Sequence, residues 1–114
     1  MAEHDEQVAR SERVARNESL YRQVNEQIAE LSEHQRQANL PVLCECGHLS
    51  CSRTIEVSAA EYAAVRADPT HFILLPGHEM PEFERVVAEG TGYVVVEKIG
   101  DARSIVRGLD PRAE

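Results

Sequence analysis

The chain has 114 residues, enough for one ordinary domain and too few for two. Its net charge of −8, with no basic stripe in either half, argues against a nucleic-acid partner, because such binding rests on Lys and Arg neutralising phosphates. The longest apolar runs, Phe72 to Leu75 and Tyr93 to Val96, fall far short of the ~20 residues of a membrane span.

Met1 to Gln7 is charged and unlike an export signal, so a soluble, cytoplasmic protein without a membrane role is expected. Residues 1–38 read as an N-terminal helix, with disorder expected in the first few positions. Val14, Asn17, Tyr21, Val24, Ile28 and Leu31 recur at intervals of three and four, and Leu20 widens the stripe. An isolated helix of this length is marginal in water, so the stripe needs a cover. That cover is either the chain's own sheet or a partner, another protein or a second copy, meeting Leu20, Tyr21, Val24, Ile28 and Leu31.

After a linker at 35–41, residues 40–100 read as an α+β domain. Pro41 to Cys46 and Thr54 to Val57 read as strands. Ser58 and Glu61 form a capping box for a short helix carrying Tyr62 and Val65, which Asp68-Pro69 stops. His71 to Leu75 is a third strand closed by Pro76-Gly77. Phe83–Glu89 and Tyr93–Lys98 make a hairpin around Gly90-Thr91-Gly92. Residues 101–114 are charged, contain Gly108 and Pro111, and read as a flexible tail. With no Trp and few aromatic residues, a core of this size is marginal alone and gains from a staple.

Cys44, Cys46 and Cys51 supply that staple. An odd number of cysteines in a reducing compartment points away from disulfides and toward metal or redox chemistry. Side chains two apart on a strand share a face about 6.7 Å apart, wider than two thiolates on one zinc, so the strand must bend at Gly47. The loop then returns Cys51 to the same point. Tetrahedral zinc needs a fourth donor, and His78 in the turn Pro76-Gly77-His78-Glu79 is the first candidate. His48, inside the loop, is the alternative, followed by a carboxylate or water. His4, His34 and His71 read as surface residues.

Two competing readings are less well matched. Cysteines can be plain buried hydrophobes, but three this close to Gly47 is a poor fit to that. CDGSH-type iron–sulfur proteins share the C-x-C start, yet their histidine falls four residues after the third cysteine, where this chain has Ile55. The chain also lacks H-E-x-x-H, the zinc-deaminase pattern, a Gly-rich phosphate loop and G-x-S-x-G.

Arg16-Asn17-Glu18-Ser19-Leu20, Val24-Asn25-Glu26-Gln27-Ile28, C-x-C-x4-C, Glu61-Tyr62, Val65-Arg66, Pro76-Gly77-His78-Glu79, Arg85-Val86-Val87 and Val95-Val96-Glu97-Lys98 occur in that order. Together they resemble a family of small uncharacterised proteins of high-GC Gram-positive bacteria. The resemblance covers about residues 16–98. It implies that Cys44, Cys46, Cys51 and His78 act as one site, and it implies no activity, substrate or partner.

The combined expectation is an α+β protein with an N-terminal helix, a small antiparallel sheet with one short helix, and structural Zn²⁺. The function expected first is a non-enzymatic interaction module. A zinc or thiol redox sensor comes second, and a zinc enzyme with water as fourth ligand third.

Overall fold

A computed structural model describes residues 2–35, 39–48 and 50–112. The run free of Gly and Pro before Pro41 folds as helix α1 (Ala2–Gln35). Its 34 residues span about 51 Å at 1.5 Å per residue, which accounts for the 52 Å long axis of the molecule. Helical backbone thus extends through the opening residues read as disordered. Linker residues 36–38 lie outside the described residues, as do the side chains of His4 and His34.

The remainder is β1 (Asn39–Leu43), β2 (Thr54–Ser58), α2 (Ala59–Arg66), β3 (His71–Leu74), β4 (Glu84–Gly90), β5 (Tyr93–Lys98) and α3 (Ala102–Gly108). The class is α+β, as the sequence indicates. β1 and β2 form one antiparallel ribbon, and β3, β5 and β4 form a second antiparallel sheet in that order. A bond from the Glu45 N–H to the Ile73 carbonyl (2.9 Å) joins the first ribbon to the edge of the second.

Local chemistry explains the boundaries. Ser58 Oγ accepts from the Glu61 N–H at 3.1 Å, and the Glu61 carboxylate accepts from the Ser58 N–H at 2.9 Å, completing the capping box of α2. The β4–β5 hairpin closes with Gly90 opposite Tyr93. A Cβ at position 90 would stand 2.0 Å from the Tyr93 ring, so the ring can lie across the turn only because residue 90 is glycine. Leu40, Val42, Ile55, Val57, Tyr62, Phe72, Ile73, Leu74 and Val96 form the buried centre.

Helix α1 packs differently from the expected stripe. Val14 of the expected stripe is buried and Ile28 packs against the core. Most of what the helix buries, however, follows the line Ser11, Ala15, Glu18, Arg22 and Asn25, with Ser19 beside it and Ala29 partly buried beyond. That line is the expected one displaced by one residue, a turn of about 100° around the axis. Leu20, Val24 and Leu31 remain 52%, 38% and 60% exposed. The face turns inward because its polar groups find fixed partners there. Glu18 meets Lys98, and Arg22 donates to the carbonyls of Pro69 (2.7 Å) and Val106 (3.0 Å). Asn25 bonds both the N–H and the carbonyl of Leu43, at 2.7 and 2.9 Å. Glu18 Oε2, Ser19 Oγ and Arg22 Nε are buried without a partner among the described residues. The bonds that are made therefore offset only part of the cost of burying this face, whereas the same groups wholly unpaired would forbid the packing.

The tail also departs from expectation. Residues 102–108 form α3, whose Ala102 and Val106 are completely buried and which packs against α1. Beyond it, Asp110 pairs with buried Arg66. Arg22 and Arg66 therefore anchor a segment whose own apolar content is too small to announce a helix. No described helix is long and apolar enough to cross a membrane.

Candidate metal centre

The strand–loop–strand between β1 and β2 builds the site. Cys44 follows β1 directly, its N–H bonded to the Arg53 carbonyl at 2.9 Å, so the backbone still pairs across the ribbon there. The chain then turns at Gly47, whose φ of +77° is a conformation open chiefly to glycine. The Cys51 N–H donates to the His48 carbonyl at 2.9 Å, closing the loop and returning Cys51 toward Cys44. On the other side, β3 ends at Leu74, and the turn that follows holds His78 through its N–H to the Leu75 carbonyl at 3.1 Å.

These elements bring Cys44, Cys46, Cys51 and His78 together, with every ligand atom within 4.8 Å of every other. His78 Nδ1 stands 3.6 Å from Cys44 Sγ and 3.8 Å from Cys51 Sγ. Cys44 and Cys46 are buried, and Cys51 is half-buried. The set is placed to bind a metal ion. His48 is outside it: its side chain is exposed, and its ring centroid lies 6.4 Å from that of His78. The contribution of His48 is through its backbone, which accepts from Cys51 and from the Tyr21 hydroxyl (3.3 Å).

The protein prepares the sulfurs as acceptors. The Leu75 N–H donates to Cys44 Sγ at 3.2 Å. Bonding from the Cys44 thiol, then from the His48 N–H and His78, holds Cys46 down at about 4 against the opposing effect of burial. The same bond, with burial, pushes the Cys44 thiol far up. The pairing thus favours negative charge on one sulfur of the pair, which suits the cluster to a cation that displaces the shared proton.

Glu45, between the first two cysteines, has a structural part that spacing rules do not assign. Alternation along the strand points it away from the sulfurs and into the core, where it is completely buried. Its carboxylate accepts from Asn25 Nδ2 (2.8 Å), the Tyr62 hydroxyl (3.1 Å) and the Ile73 N–H (3.1 Å). Burial raises its pKa, and those bonds together with nearby Arg22 pull it back. One side chain therefore ties the C-x-C segment to α1, α2 and β3 at once. The signal for it was available: a carboxylate at the inward position of a strand requires donors. Helix α1 completes the enclosure, with Asn17 donating to the Gly47 carbonyl at 3.3 Å. A Cβ on residue 47 would meet Glu18 Cγ at 2.9 Å.

Compared with known proteins, the chain matches no family model, no curated protein and no solved structure.

Proposed function

We propose that Cys44, Cys46, Cys51 and His78 hold one Zn²⁺ as a structural staple, and that the chain is a non-enzymatic interaction module. The spacing of the donors carries the metal assignment. Zn–S near 2.3 Å and Zn–N near 2.05 Å place sulfur and nitrogen about 3.6 Å apart on the edge of a tetrahedron. The two sulfur–nitrogen separations, 3.6 and 3.8 Å, match that edge. Four protein donors leave no position for a reactive water, and three thiolates weaken Lewis acidity, which favours a structural ion over a catalytic one. His78→Ala is expected to lower zinc per chain at least about tenfold, whereas His48→Ala leaves it unchanged, both read by elemental analysis. Zinc retained in His78→Ala and lost in His48→Ala would overturn the ligand set.

The module reading is supported by the exposed side of α1. Leu20, Val24 and Leu31 lie along one outer line, with partly buried Tyr21 and Ile28 beside it. Paired antiparallel with a second copy, Leu20 meets Leu31 across a two-fold axis, as a self-complementary stripe requires. Leu20→Glu with Leu31→Glu is expected to halve the mass seen by light scattering without lowering the melting temperature. A wild-type monomer would transfer the stripe to a different protein partner.

A second reading rests on Cys51, which alone of the three thiols is not fully buried. Oxidation there would release zinc and make the centre a thiol sensor, a reading that rapid zinc loss in dilute peroxide would favour.

A further inference from the structure

Away from the thiolate cluster, Asp68, His71 and Glu97 place one nitrogen and two oxygen donors within 4.8 Å of one another. His71, which sequence reading left on the surface, is half-buried on β3. It is the register partner of Glu97 on β5, so the two side chains leave the sheet on the same face. His71 Nε2 stands 3.1 Å from Glu97 Oε2 and 3.5 Å from Asp68 Oδ2. The other oxygen of each carboxylate is already held. Asp68 Oδ1 accepts from the N–H (2.9 Å) and the hydroxyl (2.7 Å) of Thr70. Glu97 Oε1 accepts from Arg85 at 3.0 Å. Each carboxylate is thus oriented through one oxygen and presents the other to the same imidazole nitrogen.

We propose that this triad is a second metal site, for a divalent cation of the zinc, nickel or cobalt type, independent of the thiolate centre. Donors about 2.1 Å from an ion lie roughly 3.0 Å apart at right angles and 3.4 Å apart in a tetrahedron. The separations of 3.1 and 3.5 Å fall in that range, as donors around one ion of distorted geometry do. The ion takes the place of the proton that otherwise joins His71 to its carboxylates, and two carboxylates with a neutral imidazole balance its charge. Arg85 opposes it, but its side chain is 67% exposed and solvent screens it. Imidazole with carboxylates, and no thiolate, selects cations of borderline softness and holds them less tightly than three sulfurs do. The donors are themselves partly exposed, so the ion has an approach and water can fill its remaining positions.

The test is a Ni²⁺ titration of the full chain as purified, its resident metal counted first, followed by calorimetry and by NMR of the imidazole signals. One Ni²⁺ per chain beyond the resident metal is expected, with paramagnetic broadening of the His71 ring. His71→Ala and Asp68→Asn should each weaken that binding at least about tenfold, with circular dichroism confirming that both remain folded. No uptake at millimolar Ni²⁺, uptake that survives both variants, or broadening confined to His48 and His78 would each overturn the proposal.

Discussion

If the thiolate cluster holds the proposed Zn²⁺, serine in place of Cys46 is expected to abolish its binding and lower the melting temperature on the order of 15 °C. Cys46 is completely buried, at the point where the loop leaves the ribbon, and is one of the four converging donors. In small zinc domains the binding free energy is folding free energy, about 10–16 kcal/mol for isolated fingers. Here the sheets carry a core of their own, so only part of that coupling reaches the global melt. A loss of about 3 kcal/mol at 4–8 °C per kcal/mol gives a shift of the stated size. Elemental analysis reads the occupancy, and thermal circular dichroism reads the stability. Chelation of the wild-type protein should reproduce both effects. A chelated protein that has lost its metal and melts unchanged would refute the structural role of the ion.

Lys98→Met is expected to destabilise the fold by about 3–5 kcal/mol, although it keeps most of the side chain's volume. The Lys98 ammonium is fully buried between Glu18 and Glu84, 2.9 Å from the latter, with the Phe83 ring centroid 5.9 Å away. Removing it leaves two carboxylates facing each other where water cannot reach them, which is the costly way to break a buried ion pair. Burial raises the pKa of Glu18 well above the usual carboxylate range, with Lys98 pulling the other way. A raised carboxyl adds stability that is complete below its unfolded pKa and lost as pH rises through the folded value. Deleting Lys98 removes the downward pull, so the deficit of the variant should widen toward neutral pH and shrink on acidification. Adding Glu18→Gln should recover part of the loss. Identical denaturation of Lys98→Met and wild type across that pH range would show that the triad contributes nothing.

The strands, the α2 cap and the convergence of Cys44, Cys46, Cys51 and His78 were legible because each rests on a local rule. A run of β-branched and aromatic residues after a Gly-Thr-Gly turn marks β5, reciprocal bonding between Ser58 and Glu61 marks the start of α2, and the crowding of Cys44, Cys46 and Cys51 around Gly47 marks the cluster. The inward face of α1 was not legible. Reading by hydrophobicity selects Val24 and Leu31, whereas the residues that enter are Glu18, Arg22 and Asn25, admitted only because Lys98, Pro69, Val106 and Leu43 supply partners far along the chain. The same cause hid α3. Its own sequence offers little beyond Ala102, Ile105 and Val106, and its position depends on bonds from Arg22 and, just past its end, Arg66. Glu45 fell between these cases, visible as an inward carboxylate but unreadable as a tie to three elements.

The reach of α1 along the chain has a consequence for biosynthesis. The bonds from Glu18 to Lys98, Arg22 to Val106 and Glu26 to Arg112 span 80, 84 and 86 residues. At about 5–20 residues per second, a ribosome makes the helix roughly 4–16 s before those partners exist. Throughout that delay the face destined for the interior is charged, so water satisfies it and chaperones find little there to hold. A conventional apolar face would stand open for the same seconds as a nucleus for aggregation. Meanwhile β1, β2 and the cysteine loop, whose contacts with each other are short in sequence, can close on the nascent chain. The later residues, from Lys98 to Arg112, then act as the latch that seats the helix.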